Sequence, residues 1–109
     1  MRLRRLTLAG VLATLAIAAA PVHAEGSPDA GRKKNAMCEG CHGIPGFRTA
    51  YPEVYSVPKL GGQNEGYIVS ALKAYKAGDR THPSMNSIAA SLTEQDMADL
   101  AAYYARSGK

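Results

Sequence analysis

The feature that most constrains this chain is its two cysteines, Cys38 and Cys41, three positions apart in a very small fold. The sequence of 109 residues holds no other cysteine, one phenylalanine and no tryptophan. A domain of this size has difficulty burying enough apolar surface to offset its conformational entropy, and it usually needs a covalent or metal staple. A disulfide between Cys38 and Cys41 would close a very short loop and stabilise little. The sequence therefore predicts a staple of another kind.

The first 24 residues have the pattern of a secretory signal peptide. Three arginines, at positions 2, 4 and 5, precede an uncharged stretch over residues 6–20 that is rich in leucine and alanine, and residues 21–24 read Pro-Val-His-Ala. This order matches a positive n-region, an apolar h-region and a cleavage site with small residues. A membrane anchor is the alternative, but the stretch is shorter than the ~18 apolar residues that a spanning helix needs. We expect residues 1–24 to be removed and residues 25–109 to form one exported, periplasmic domain without a membrane span.

The charge balance changes once the leader is set apart. The whole chain has 13 Lys+Arg and 9 Asp+Glu, and three of the arginines but none of the acids lie in the leader. Residues 25–109 therefore carry 10 basic and 9 acidic side chains. A surface with one excess positive charge does not form a phosphate-binding face, so the composition gives no support to nucleic acid as a partner, and none is expected.

The rest of the sequence is predicted to be all-α, with helices separated by loops and no alternating strand pattern. Ser27 is the predicted N-cap of a first helix that runs toward Cys38. A second helix is predicted over residues 64–77, ended by Gly78. The last helix is predicted to begin at Thr93 with a capping-box arrangement. The predicted buried faces of the second and last helices contain Tyr67, Ile68, Ala71, Leu72 and Tyr75, and Met97, Leu100, Ala101 and Tyr104.

Two loops connect these helices in the prediction. Residues 43–62 contain four glycines and three prolines and show no periodicity. A loop of this length is unusual in a small domain unless it wraps a ligand. Residues 79–85 form the second predicted loop, followed by a short helical turn around 86–90.

The segment Cys38–His42 reads Cys-Glu-Gly-Cys-His, which is the C-x-x-C-H pattern of c-type haem attachment. On one helical turn the two thiols can add to the two vinyl groups on one side of a porphyrin, and the next side chain, an imidazole, then reaches the iron. A thioredoxin-like pair would need a βαβ context, and structural zinc usually needs four ligands in two spaced pairs. A plain disulfide beside a bystander histidine is the third alternative. We predict one covalent haem c, attached through Cys38 and Cys41, with His42 as an iron ligand.

The second axial ligand is predicted to be Met85. An electron carrier keeps both axial positions of its iron filled. Met37 adjoins Cys38 and cannot reach the opposite face of the haem. Met97 lies on the apolar face of the last helix, where it is expected to pack in the core. His82 is the competing ligand, and bis-histidine ligation would lower the reduction potential that Met/His ligation raises. If Met85 is the ligand, His82 is expected at the surface or at the haem edge.

With these motifs in place, the chain resembles the class I cytochromes c, particularly the short bacterial periplasmic proteins with one haem. The shared landmarks cover nearly all of residues 25–109: Gly31, Cys38–His42, Pro58–Gln63, Arg80, Met85 and the ending Leu100–Tyr104. The resemblance implies a small fold of three main helices and long loops wrapped around one covalently bound haem.

The resemblance also implies roles for single residues. The carbonyl of Pro58 would accept a hydrogen bond from the proximal His42, and Leu60 would pack on the haem. Gly31 would allow the first and last helices to cross closely against Tyr103 or Tyr104, unless it is a tolerated surface glycine. Propionate partners stay open, since Gln63, Tyr67 and Arg80 fit by position but also fit a solvent-facing role.

The expected function is single-electron transfer in the periplasm, with no enzymatic activity of its own. The expected partners are redox proteins, namely a donor dehydrogenase and a terminal oxidase or reductase. The basic residues 32–34 either steer an acidic partner toward the protein or form an ordinary solvated helix face. The alternative is the haem c electron-acceptor subunit of a periplasmic dehydrogenase complex with a flavin- or molybdenum-containing partner. A gas sensor or a peroxidase-like enzyme would need an open iron site.

Overall fold

The computed structural model describes residues 25–50 and 54–107. The predicted leader, residues 1–24, lies outside the described residues. Within the described ranges the chain forms helices only, apart from one isolated bridge between Arg48 and Ser56. The predicted all-α class is therefore confirmed. The helices are α1 (Pro28–Lys34), α2 (Ala36–His42), α3 (Glu65–Ala77), α4 (Pro83–Ala90) and α5 (Glu94–Arg106). None of the helices in the described ranges is long and apolar enough to cross a bilayer.

The predicted first helix is two short helices, α1 and α2, which meet at Asn35. Ser27 caps α1, because its hydroxyl accepts a hydrogen bond from the Ala30 N–H at 3.2 Å. Asn35 adopts φ −83° and ψ 3° and is only 7% exposed. Its carbonyl accepts the N–H groups of Cys38 and Glu39, so the second helix starts a new hydrogen-bond ladder. Asparagine favours such breaks because it is a poor residue for a helix interior.

Helices α3 and α5 begin where the sequence predicts. The side chain of Asn64 accepts the Tyr67 N–H at 3.0 Å, and Gly78 ends α3 with φ +84°. At the start of α5, Thr93 and Asp96 bind each other's N–H groups at 2.9 and 3.1 Å, which is a complete capping box.

Helix α4 starts earlier than predicted, and this corrects the prediction that Met85 lies in a loop over residues 79–85. Pro83 occupies the first helical position, which tolerates proline because that N–H has no partner within the helix. His82 is the N-cap, and its Nδ1 accepts the N–H of Met85 at 3.4 Å. Asn86 accepts the His82 N–H at 2.8 Å and ties the cap to the helix. Met85 therefore lies in the first turn of α4.

The core forms where α3, α4 and α5 meet. Its buried members are Ile68, Leu72, Leu92, Met97, Leu100, Ala101 and Tyr104. All four residues predicted on the buried face of α5 belong to this cluster, and the prediction that Met97 packs in the core is confirmed by its 1% exposure.

Helix α1 crosses α5 at very short range. A Cβ atom added to Gly31 would lie 2.7 Å from the Cβ of Tyr103 and closer still to the Asp99 carbonyl. Cβ atoms in proteins essentially never approach other atoms that closely, so the crossing requires glycine. The predicted contact between Gly31 and an aromatic residue of the last helix is confirmed, with Tyr103 as the partner.

A buried carboxylate fastens the same crossing. Asp99 is 3% exposed and accepts the Ser27 N–H at 2.8 Å, the Lys34 ammonium at 2.6 Å and the Gln95 amide at 2.9 Å. The Lys34 ammonium, together with the Ser27 N–H, holds the pKa of Asp99 below its usual value. Lys34 also pairs with Asp96 at 2.9 Å. The charges of α1 and α5 thus hold α1 in place.

Candidate functional site

One cavity of about 410 Å³ lies beside the core. All six residues that the sequence analysis singled out as site residues line it: Cys38, Cys41, His42, Pro58, Leu60 and Met85. Its walls come from α2, α3, α4, α5 and the segment over residues 55–63. Among the described residues that line it, none is acidic, and the side chains are mainly aliphatic and aromatic. The cavity therefore suits a flat apolar ligand.

Helix α2 supplies the reactive wall. Cys38 and Cys41 are free, partly buried thiols one helical turn apart, and His42 is the last residue of the helix. Burial raises the pKa of the Cys38 thiol, while the hydroxyl of Tyr104 acts in the opposite direction. Two thiols on one face and an imidazole directly after them form a donor set that can attach and ligate a metalloporphyrin.

The imidazole of His42 is oriented by the loop that follows α2. Its Nδ1 lies 2.7 Å from the carbonyl oxygen of Pro58. A carbonyl oxygen only accepts, so Nδ1 must carry the proton and donate it. The lone pair of His42 is then on Nε2, which is the nitrogen free to bind a metal.

Helix α4 supplies the second wall through Met85, which is partly buried and packs against the core cluster. A thioether is a soft, neutral ligand suited to iron in a haem. Met37 also lines the cavity but is 52% exposed. Met97 does not line it.

His82 lines the same cavity, but its imidazole makes a different kind of hydrogen bond from that of His42. Its Nδ1 accepts the N–H of Met85, so the proton of the neutral ring is on Nε2. Its ring centroid lies 4.6 Å from that of Tyr55. Sequence reasoning assigned no role to Tyr55, and no motif marks it, since its place in the wall depends on how the long loop folds.

The polar residues whose role the sequence left open, Gln63, Tyr67 and Arg80, also line the cavity. Arg80 stacks on the ring of Tyr75 at 4.7 Å and donates to the hydroxyl of Tyr67 at 3.5 Å. Gln63 and Lys59 line the same cavity. Two cations beside an otherwise apolar cavity suit a ligand with carboxylate groups at one edge.

The hydroxyl of Tyr104 is a second feature that sequence reasoning missed. It is the one buried side-chain oxygen or nitrogen in the described part of the chain without a hydrogen-bond partner, and Tyr104 lines the cavity. Burial raises its pKa to about 12. A buried hydroxyl without a partner costs about 1–3 kcal/mol. We therefore expect the hydroxyl to gain a partner when the cavity is occupied, and the apolar walls, the donor set and this hydroxyl together fit a covalently bound haem.

Known proteins resemble the chain over this same region. The cytochrome c family model matches residues 29–105. A cytochrome c-554(548) of Halomonas halodenitrificans is 39% identical over 82 residues, which are 72% of this chain and 94% of that protein. The cytochrome c4 of Pseudomonas aeruginosa is 41% identical over 83 residues, which are 76% of this chain and 39% of that protein.

Solved structures show the same likeness. The cytochrome c4 of Acidithiobacillus ferrooxidans aligns with a TM-score of 0.56 and 30% identity, over 79% of this chain and 52% of that one. The chain spans less than half the length of the curated cytochrome c4 relatives that it matches.

Proposed function

The chain belongs to the class I cytochrome c family, and on that premise we propose that it is a periplasmic carrier of single electrons with one covalently attached haem c. The observation that carries the proposal is the cavity, which brings the two thiols and the imidazole of α2 to the same space as the thioether of Met85. When bound, the haem iron would alternate between the ferrous and ferric states and so take up and release one electron. The cytochrome c4 of Acidithiobacillus ferrooxidans is itself described in terms of electron transfer.

In this proposal the residues of α2 hold the haem. Cys38 and Cys41 form the two thioether bonds, and His42 binds the iron through Nε2. The hydrogen bond from His42 Nδ1 to the Pro58 carbonyl fixes the ring and makes it a stronger donor to the metal. Leu60, partly buried beside the core cluster, contributes to the apolar wall against which the haem packs.

Met85 is the proposed second axial ligand, in preference to His82. A neutral imidazole has one lone pair, and His82 uses it at Nδ1 to cap α4. Ligation by His82 through Nε2 would need the proton to move to Nδ1, which would remove the cap of the helix that carries Met85. Met85 makes no such demand, because its backbone N–H and not its sulfur takes part in the cap.

If His42 and Met85 both bound the iron, no coordination site would stay open for a substrate, so the proposed role is electron transfer without enzymatic activity. The proposed partners are a donor dehydrogenase and a terminal oxidase or reductase. We propose that residues 1–24 direct export and are removed, leaving residues 25–109 as the cytochrome c domain.

The test is a spectrum of the native protein, produced in cells that mature c-type cytochromes. We expect a visible spectrum of haem c, haem that stays with the polypeptide on denaturing electrophoresis, and a near-infrared band of sulfur ligation in the ferric protein. The double variant Cys38→Ala, Cys41→Ala is the control and should lose the covalent haem. A colourless mature protein refutes the proposal, and co-elution with a larger subunit during purification would replace the free carrier with a complex subunit.

A further inference from the structure

The hydroxyl of Tyr104 is buried in a core where phenylalanine would fit equally well and would leave no polar group unpaired. Tyr104 is 9% exposed, belongs to the core cluster with Leu72, Leu92 and Leu100, and has two polar neighbours, Cys38 and Asn35. Its oxygen has no partner in the described part of the chain. Phenylalanine would fill the same volume without the penalty of an unpaired hydroxyl, so we expect the hydroxyl to gain a hydrogen-bond partner when the site is loaded.

The residues that line the cavity indicate on which side of Tyr104 the partner of its hydroxyl lies. Tyr104 lines the cavity together with Cys38, which packs against the same core cluster. The two side chains influence each other electrostatically, because the Tyr104 hydroxyl lowers the pKa of the Cys38 thiol against the larger, opposing effect of burial. The hydroxyl of Tyr104 thus lies near the attachment cysteine Cys38 and near the side chain of Asn35.

Tyr104 is also held firmly enough to position its hydroxyl. Its backbone carbonyl accepts the Gly62 N–H at 2.9 Å and the Ser107 N–H at 3.1 Å, which joins the end of the long loop to the last turn of α5. Its ring meets the ring of Tyr103 edge to face at 5.0 Å. Neither contact uses the hydroxyl, which leaves it available to the cavity.

We propose that Tyr104 is a positioning residue whose hydroxyl donates a hydrogen bond to the sulfur of Cys38 once that sulfur is a thioether, and thereby raises the reduction potential. The inference rests on the proposed haem attachment. A thioether sulfur has lost its proton and can only accept, so the hydroxyl is the donor. The donated hydrogen bond would bring positive partial charge to the thioether and so favour the ferrous state, which carries one positive charge less.

The experiment compares Tyr104→Phe with Tyr103→Phe in the purified holoprotein. Each variant removes one hydroxyl from neighbouring positions of α5, but Tyr103 does not line the cavity. Spectroelectrochemical titration measures the potential, and denaturant unfolding of the ferric protein measures stability. We expect Tyr104→Phe to lower the ferrous-to-ferric ratio about threefold at a fixed solution potential, which is about 28 mV for one electron, and to lower stability. Tyr103→Phe should leave the potential unchanged.

A third comparison tests the acceptor. In a Cys38→Ala protein that keeps its haem through Cys41, Tyr104→Phe should cause no further shift in potential, because the sulfur that receives the hydrogen bond is gone.

Three results would overturn the inference. They are an unchanged potential in Tyr104→Phe, a gain in its stability, or a shift that persists in the Cys38→Ala background. A wild-type protein without haem would instead refute the proposed function, and with it this role.

Discussion

The replacement of Gly31 by alanine tests the close crossing of α1 and α5. The new Cβ would lie 2.7 Å from the Cβ of Tyr103, and closer to the Asp99 carbonyl. Ordinary van der Waals contacts of a Cβ atom begin near 3.4 Å, and the Asp99 carbonyl oxygen would lie more than an ångström inside that limit, so α1 and α5 must separate by more than an ångström. Neither obstacle is the end of a flexible side chain, and rotamer changes cannot relieve the contact.

The magnitude follows from two opposing effects. Alanine in place of glycine favours the helix by about 1 kcal/mol. Overpacking costs about 1–3 kcal/mol, and more where backbone must move. Separation of the helices also stretches the hydrogen bonds that Asp99 accepts from Ser27 and Lys34. We expect a net loss of about 2 kcal/mol in the free energy of unfolding, taken from the upper part of the overpacking range. For a domain of this size that is a fall of about 8–16 °C in Tm.

The assay is thermal and denaturant unfolding of the holoprotein, followed by circular dichroism, with Gly40→Ala as the matched control. Gly40 also lies inside a short helix, α2, but a Cβ there would meet nothing within 4 Å. Gly40→Ala should therefore be neutral or slightly stabilising. Equal stability of the two variants, with equal haem content, would refute the argument that the crossing excludes a side chain.

Three further predictions concern the ligand, acid stability and a helix end. Met85→Ala is expected to keep its covalent haem, to have a lower reduction potential and to bind carbon monoxide in the ferrous state. His82→Ala should leave the potential unchanged and should not bind carbon monoxide. The reverse pattern would make His82 the ligand. Stability is expected to fall as the pH drops from about 4 toward 2. The Thr93 N–H holds the pKa of Asp96 at about 2, and Lys34 lowers the pKa of Asp99. Both carboxylates therefore contribute stability above their unfolded pKa near 3.9, and protonation removes that contribution. Asp99→Asn should flatten this acid limb in urea unfolding measured against pH, and an unchanged limb would contradict the assignment. Gly78→Ala should lower the unfolding free energy by about 1 kcal/mol, because a residue with a side chain is strained at φ +84° even though the surrounding space is open. An unchanged unfolding free energy would show that the turn relaxes.

The helix ends were predictable where a side chain caps its own helix. Ser27, Asn64 and Thr93 each accept the backbone N–H three residues ahead, and this local chemistry is visible in the sequence. The buried face of α5 was predictable for a similar reason, since its apolar residues recur at helical spacing.

The features that the sequence did not predict depend on distant contacts. The break at Asn35 leaves that residue buried, and its burial comes from packing between helices. The early start of α4 depends on a histidine acting as N-cap and on Asn86 binding back to His82, a less common cap than serine or aspartate. The position of Tyr55 beside His82 depends on the path of a long loop without periodicity.

The choice between the two histidines of the cavity illustrates why spacing alone left the second ligand open. As neutral rings, His42 and His82 have the same lone pair and the same proton, and the sequence distinguishes them only by the cysteines before one of them. Their hydrogen-bond partners differ in kind, because the Pro58 carbonyl can only accept and the Met85 N–H can only donate. The first partner fixes the proton of His42 on Nδ1 and frees Nε2 for a metal, while the second fixes the proton of His82 on Nε2 and occupies its lone pair. Since the donor to His82 is the backbone of Met85 itself, the same contact that disfavours the histidine as a ligand also orders the helical turn that carries the methionine.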